Sequence, residues 1–413
     1  MITQGSKALI VQKFGGAAVA TPEKIRDVAR RVVEERKAGR DVVVVISAMG
    51  DTTDQLETLA RTVSKNPPKR EMDMLLTAGE RISMALLTMA IIDLGCEAIS
   101  FTGSQSGIVT DTSHTRAKIL DIRAHRVREE LEKGRVVIVA GFQGVSSAKE
   151  ITTLGRGGSD TTCVALAASF AAQECHLFKD VDGVYTADPR LVPEARRIAR
   201  ISYEEMLELA YCGAGVLHWR SIDVAERFGV RVHVRPSFGK EMGTLVTDRG
   251  EIEGSGIRGL TQDTSLARIS LRNVPRPTET AGRVLGALDG AEVEIRFIYA
   301  SAAPGRQGDL SVLIPLDARE TALGALARAL PDQEVSVDCG IATLSIVGHG
   351  ICAVPGVASR VMTSIAALGI EPEVVASSGT SITVVLPKSR LEEAARALHA
   401  DLGLGRATRD EAP

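Results

Sequence analysis

Residues 41–47 (DVVVVIS) constrain this chain more than any other stretch. Four consecutive valines and an isoleucine leave no face for water, so a strand made of them must lie inside a sheet covered on both sides. The preceding residues complete the unit. Residues 8–12 form a short apolar run that ends at Gly15-Gly16, and Thr21-Pro22 then supplies a helix cap with proline in the first helical position. Ile25, Val28, Ala29, Val32 and Val33 recur at helical spacing until Gly39 stops them. The result is a βαβ unit. Residues 135–140, 175–179 and 230–235 read as further buried strands, with helices near 74–94, 160–172 and 203–211. The alternation predicts an α/β fold, a mostly parallel sheet sandwiched by helices, with ligands at the carboxyl ends of the strands.

At 413 residues the chain has room for two or three domains. The glycine-rich, polar stretch GEIEGSGIRGLTQDT (residues 250–264) predicts a linker after a first domain of residues 1–250. Beyond it lies an internal repeat. LSVLIPLDARETALGAL, starting at Leu310, matches ITVVLPKSRLEEAARAL, starting at Ile382, at an offset of 72. Each copy reads as strand, proline turn and helix, with a further strand, helix and strand upstream. Two ferredoxin-like βαββαβ modules are therefore expected, at 265–335 and 336–413. Their exposed edges invite pairing with a second copy, within the chain or between chains, and a homo-oligomer joined through them is expected.

A net charge of −3 and 3% aromatic residues argue against a nucleic-acid partner. The apolar stretch at 84–94 is interrupted by Thr88 and Asp93 and is shorter than the roughly 20 residues of a membrane span, so no membrane partner is expected. The first residues lack the pattern of a signal peptide, which predicts a cytoplasmic protein. Six cysteines without a CxxC pair read as reduced thiols, and no metal-ligating set stands out.

Three segments carry candidate chemistry. Lys13 ends the first strand directly before Gly15 and Gly16, where a lysine and close-approaching backbone amides suit a phosphate, although a plain tight turn has the same look. Residues 153–162 (TLGRGGSDTT) set Arg156 and Asp160 in a strand-to-helix turn. There the pair suits the carboxylate and ammonium of an amino acid, and Asp160 alone suits a helix cap. Residues 179–190 (KDVDGVYTADPR) follow another buried strand, and their acids and cations suit a nucleotide with its Mg²⁺. Glu80, in LLTAGER, reads by itself as a solvated helix residue.

Together these segments resemble the aspartate kinases of the amino acid kinase superfamily. Lys13-Phe14-Gly15-Gly16, Ser47-Ala48-Met49-Gly50 with Thr53, LLTAGE ending in Glu80, GRGGSD and DVDGVYTADPR stand in that family's order. SFGKEMGTLV and the repeated tail, which resembles paired ACT regulatory modules, continue the match. The resemblance implies that residues 1–250 are an amino acid kinase catalytic domain. It further implies phosphorylation of the side-chain carboxylate of L-aspartate by ATP with Mg²⁺, giving 4-phospho-L-aspartate, the first step toward lysine, threonine and methionine. By the same resemblance Lys13 contacts the transferring phosphate beside Gly15, Gly16 and Ser47. Thr53, Glu80, Arg156 and Asp160 hold the amino acid, Asp160 counting among the catalytic groups, and Lys179, Asp180, Tyr185 and Arg190 surround the nucleotide. The attacking carboxylate is already ionised at neutral pH, so no general base is required.

The chain departs from the family pattern at several points. Ala17-Ala18 stand where the family has a Thr-Ser pair, Gly215 where it has lysine, Trp219 where it has proline, and Lys179 where threonine is more common. Tyr299-Ala300-Ser301 replaces a Gln-Asn effector contact and Ser377-Ser378-Gly379-Thr380 departs from the family's common STSE pattern, leaving the identity of any amino-acid effector open. Two other readings stay open at this point: a specialised kinase acting on a related carboxylic acid, and a catalytically weak regulatory subunit that binds amino acids.

Overall fold

The computed structural model describes residues 8–239, 241–248, 256–274, 277–302 and 307–405. The first part of the linker predicted at 250–264, residues 250–255, thus lies outside the described residues. The expected βαβ unit is β1 (Leu9–Phe14), α1 (Pro22–Lys37) and β2 (Asp41–Ile46), with the Thr21 side chain accepting from the Lys24 amide at the start of α1. Val42 through Ile46 are wholly buried, as a strand apolar on both faces requires.

β1 and β2 lie at the centre of an eight-stranded sheet. Its other strands are β3 (Ala98–Phe101), β6 (Val136–Ala140), β9 (Glu174–Lys179), β10 (Arg200–Ser202), β11 (Val232–Pro236) and β12 (Thr244–Thr247). Their order is β10-β12-β11-β9-β1-β2-β6-β3, and only β12 against β11 runs antiparallel. Helices α2 (Thr52–Val63), α3 (Lys69–Asp93), α4 (His125–Glu132), α5 (Gly158–Phe170), α6 (Tyr203–Tyr211) and α7 (Trp219–Phe228) accompany it. One core lies under α1 and α3, and another packs α5, α6 and α7 against the opposite face. A small sheet of β5 (Ile119–Ile122), β4 (Ile108–Thr110), β7 (Gln143–Ser146) and β8 (Ile151–Thr153) flanks the main one.

Helix α3 is longer than its pattern suggested, running unbroken through Thr77-Ala78-Gly79. Gly79 is required there by packing: a Cβ on it would stand 2.7 Å from the Cβ of Ala48. By length and composition α3 is apolar enough to cross a membrane, which corrects the shorter apolar stretch read from the sequence. Its inner face, however, carries buried Asp73, Thr77, Glu80 and Ser83 against the protein.

The repeat folds twice. Strands β16 (Gly308–Pro315) and β20 (Ser381–Pro387) lead into α9 (Arg319–Ala329) and α11 (Leu391–Asp401). The first copy adds β14 (Leu266–Val274), α8 (Pro277–Gly290), β15 (Phe297–Ala302) and β17 (Val335–Asp338), in the expected βαββαβ order. The second adds β18 (Ile341–Val347), α10 (Val357–Ala367) and β19 (Val374–Ser377), and here the expectation needs correcting. Its fourth strand is β13 (Gly259–Asp263), from the stretch read as linker, paired antiparallel to β18. The first copy is thus inserted between two strands of the second copy's sheet. Leu266, Leu313, Ile341 and Val385 join the two sheets in a shared small core within one chain.

Candidate active site

Lys13 and Lys179 reach the carboxyl ends of neighbouring parallel strands. Lys13 pairs in register with Leu177, so Lys179, two residues on, projects on the same side. Both ammonium groups meet the buried Asp160: Lys13 Nζ lies 2.9 Å from Oδ1 and Lys179 Nζ donates to Oδ2 at 2.5 Å. Burial works to raise the Asp160 pKa, but the two lysines outweigh it and hold this carboxyl well below the ordinary range. Lys179, 16% exposed at its side chain, is pulled below the usual lysine range by burial and by Lys13, against the pull of Asp160. One carboxylate between two ammoniums leaves a net positive charge.

The helix that carries Asp160 begins differently from a simple capped turn. Gly157, with φ +69°, is the N-cap of α5, and Asp160 sits inside the first turn with its side chain turned to the lysines. Gly157 is required by contact, since a Cβ would fall 2.1 Å from His218 Cβ. His218 therefore borders the site; burial lowers its pKa, and the charges of Asp160 and Lys179 reach it. Gly15 leaves open the approach to Lys13, whose Nζ would be 3.4 Å from an added Cβ. Gly16 instead serves close packing, because a Cβ there would meet the Ala48 carbonyl at 2.9 Å.

Ser47 follows β2, next to β1, and its carbonyl accepts from Ser83 of α3 at 2.7 Å. That bond fixes α3 so that Glu80 Oε1 accepts the Ala48 amide at 3.2 Å. Glu80 Oε2 is buried with no partner. Burial pushes the Glu80 pKa up to about 7. A buried carboxylate oxygen without a donor is suited to a ligand that brings one, such as an ammonium. Glu80 is thus not the solvated residue its local sequence suggested. Thr53 stands half-buried in the first turn of α2, close behind this segment in the chain.

The other candidates are spread more widely. Arg156 is not brought to this cluster: its side chain is 94% exposed, and the nearest carboxylate, Asp317 of the first repeat unit, is 3.9 Å away. Asp180 is exposed at the end of β9. Tyr185 donates its hydroxyl to Asp182 at 2.9 Å. Arg190 is exposed and grips Asp188, which also accepts from Gln262 of β13. The later part of this loop serves architecture, with Ala187 and Val192 buried in the core of the second repeat unit. The alternation of small and polar residues there gave no sign of it.

Among the described residues the one grouping able to offer metal ligands is Glu174, His176 and His233. It lies toward the start of β9, away from Lys179, with His176 Nε2 already 2.7 Å from Glu174.

Residues 8–236 match the amino acid kinase family and residues 344–402 the ACT domain, which sets the class as an amino acid kinase joined to an ACT domain. An aspartokinase of Mycolicibacterium smegmatis is 46% identical over 407 residues, covering 96% of this chain and 97% of that one. One from Bacillus sp. (strain MGA3) is 43% identical over 395 residues, covering 95% and 96%. The chain belongs to the aspartokinase family. Its fold resembles E. coli aspartokinase III in complex with aspartate and ADP, with TM-score 0.82 at 23% identity, covering 96% and 100% of the two chains. The aspartate kinase from Synechocystis is similar at 36% identity and TM-score 0.55, covering 98% of this chain and 71% of that one.

Proposed function

We propose that this chain transfers the γ-phosphoryl group of ATP to the side-chain carboxylate of L-aspartate, releasing ADP and 4-phospho-L-aspartate. The observation that carries the chemistry is the pair of strand-end lysines on one buried aspartate. A carboxylate oxygen attacks the γ-phosphorus as the bond to the β,γ-bridging oxygen breaks. Charge spreads over the transferring oxygens, where Lys13 and Lys179 stabilise it from fixed positions. Asp160 holds both ammoniums aimed at that position. The unpartnered oxygen of Glu80 receives the substrate ammonium.

Both Asp160 oxygens already hold lysines, so this carboxylate does not suit a divalent cation. Asp180, exposed beside Lys179, suits Mg²⁺ carried by the nucleotide, and the ion would supply further neutralisation of phosphate charge. Arg156 sits between Gly155 and Gly157, both at positive φ, and we assign it to the substrate carboxylate in the loaded state. Full-length relatives named aspartokinase support aspartate as the acceptor and, with it, a place at the start of lysine, threonine and methionine formation. A cavity of about 390 Å³ between α6 and the two repeat sheets, lined by Glu208, Glu294 and Arg296 among others, suits a small amino-acid effector.

Release of ADP with L-aspartate, L-glutamate and related acids, each offered alone, tests the reading. Turnover with L-aspartate at least tenfold faster than with any other acid is the expected result. Preference for another acid, or no turnover with any, would replace it with one of the two alternatives.

A further inference from the structure

The face of the main sheet opposite Lys13 and Lys179 carries a polar patch that the reaction does not use. Glu174 and His176 stand two residues apart on β9 and so project to one face, and His233 of β11 pairs in register with His176. The donor atoms of these three side chains lie within 4.8 Å of one another, and His176 Nε2 is 2.7 Å from the Glu174 carboxylate. The Glu174 side chain is 41% exposed and His233 is half-buried, whereas the His176 side chain is 5% exposed. The patch is thus open to solvent on one side and anchored on the other. Unpartnered atoms surround the anchored imidazole. His176 Nδ1 is buried without a partner, and so are both polar atoms of the Gln12 side chain. Gln12 of β1 pairs in register with His176, so the two side chains stand side by side on the same face. Buried polar atoms left unpaired cost stability, and three of them at one imidazole point to a bound state that uses them.

We propose that Glu174, His176 and His233 bind a divalent cation of the Zn²⁺ class, with Gln12 as the hydrogen-bond partner of the ligating His176. Two imidazoles and a carboxylate are the donor set that suits such an ion, and the solvent side leaves a further position for water. Bonds of about 2.0–2.1 Å set tetrahedral ligand atoms roughly 3.4 Å apart, so small rotations of the exposed Glu174 and the half-buried His233 close the set on an ion. With the ion on Nε2, the His176 proton is on Nδ1, and the Gln12 amide oxygen is the acceptor beside it, the kind of contact that fixes a ligating imidazole. The ion would join β9 to β11 at their amino ends, at the far end of β9 from Lys179. An anion fits less well: the charge of Arg235 reaches His176, but the Glu174 carboxylate lies within the cluster itself.

The site does not depend on the reaction assigned above, and its test reads metal. The tag-free full chain, dialysed against EDTA and then freed of it, is titrated with Zn²⁺ in competition with a chromophoric chelator, as wild type and as Glu174→Gln and His233→Asn. Far-UV circular dichroism and ADP release check that each variant is folded. Wild type is expected to hold a single equivalent of Zn²⁺ and to melt at a higher temperature with Zn²⁺ than with the same concentration of Mg²⁺. Gln12→Leu should weaken binding by about tenfold and each ligand variant by more. Co²⁺ in wild type should give visible d–d bands without the ultraviolet band of a cobalt–thiolate bond, a readout that needs no variant. No bound equivalent in wild type would overturn the proposal. So would equal affinity in wild type and both ligand variants, or a thiolate band, since either would move the ion to the cysteines. A melting temperature raised by inorganic phosphate and not by Zn²⁺ would overturn it in favour of an anion beside Arg235.

Discussion

Asp160 meets one lysine on each of its oxygens, and this coupling makes separate predictions for stability and rate. Asp160→Asn leaves two neighbouring buried ammoniums without a counter-charge, so a loss of about 3–5 kcal/mol in chemical denaturation is expected. Adding Lys179→Met should recover much of that stability while leaving turnover low, because the phosphoryl charge then meets one cation instead of two. A double variant no more stable than Asp160→Asn would break the coupling. Glu80 gives a pH prediction. Its folded pKa of about 7 stands above the ordinary 4.5, so its ionisation costs stability as pH rises from about 4.5 through 7. Glu80→Gln should therefore melt higher than wild type at pH 8, with the difference vanishing at pH 4. If only ionised Glu80 accepts the substrate ammonium, KM for aspartate should rise toward tenfold per pH unit below 7. A flat profile would remove Glu80 from that role. Lys13 and Asp160 were legible because KFGG and GRGGSD each concentrate charge and glycine at a strand end or helix start. The burial of Glu80 was not, since it depends on Ala48 and Ser47, more than thirty positions away. The outward position of Arg156 was equally invisible, because glycines on both sides permit many directions.

At the level of elements, periodicity served best where one face or both faces are buried by the same sheet. The helix expected at 203–211 and the strand at 41–47 were found within a residue of their limits. Gly79 would weaken an isolated helix, but its close contact with Ala48 makes glycine necessary there. Gly79→Ala should push α3 off the segment after β2, lowering stability by about 1–3 kcal/mol and raising KM for aspartate more than KM for ATP. Ala48→Gly in the same chain should restore both. Parallel losses of affinity for the two substrates, or no recovery in the double variant, would mean that α3 does not position Glu80. The membership of β13 was illegible for a different reason. Its five residues pair with a strand some eighty positions later, past the whole first repeat unit, and nothing local records such a partner.

For the molecule as a whole, β13 and the loop after β9 bind the kinase region to the second repeat unit. Leu260 donates its amide to the Thr186 carbonyl at 2.7 Å, Thr186 meets His399 at 3.0 Å, and Ala187 and Val192 lie in that unit's core. Chain ending at residue 248 would expose this apolar set. Rather than folding independently, the truncated protein is expected to melt several degrees lower than the full chain and to aggregate; an unchanged melting temperature would restore the simple linker.

The central claim is that a lysine pair held by Asp160 drives phosphoryl transfer to aspartate. Its most direct test is single-turnover phosphorylation of L-aspartate, with the acyl phosphate trapped by hydroxylamine, in wild type and Lys13→Met, alongside equilibrium binding of ATP. A fall of about 10²–10³-fold in hydroxamate formation, with ATP affinity changed less than about tenfold, is expected for a cation acting mainly on the transition state. Hydroxamate formed at near wild-type rate by Lys13→Met would contradict it.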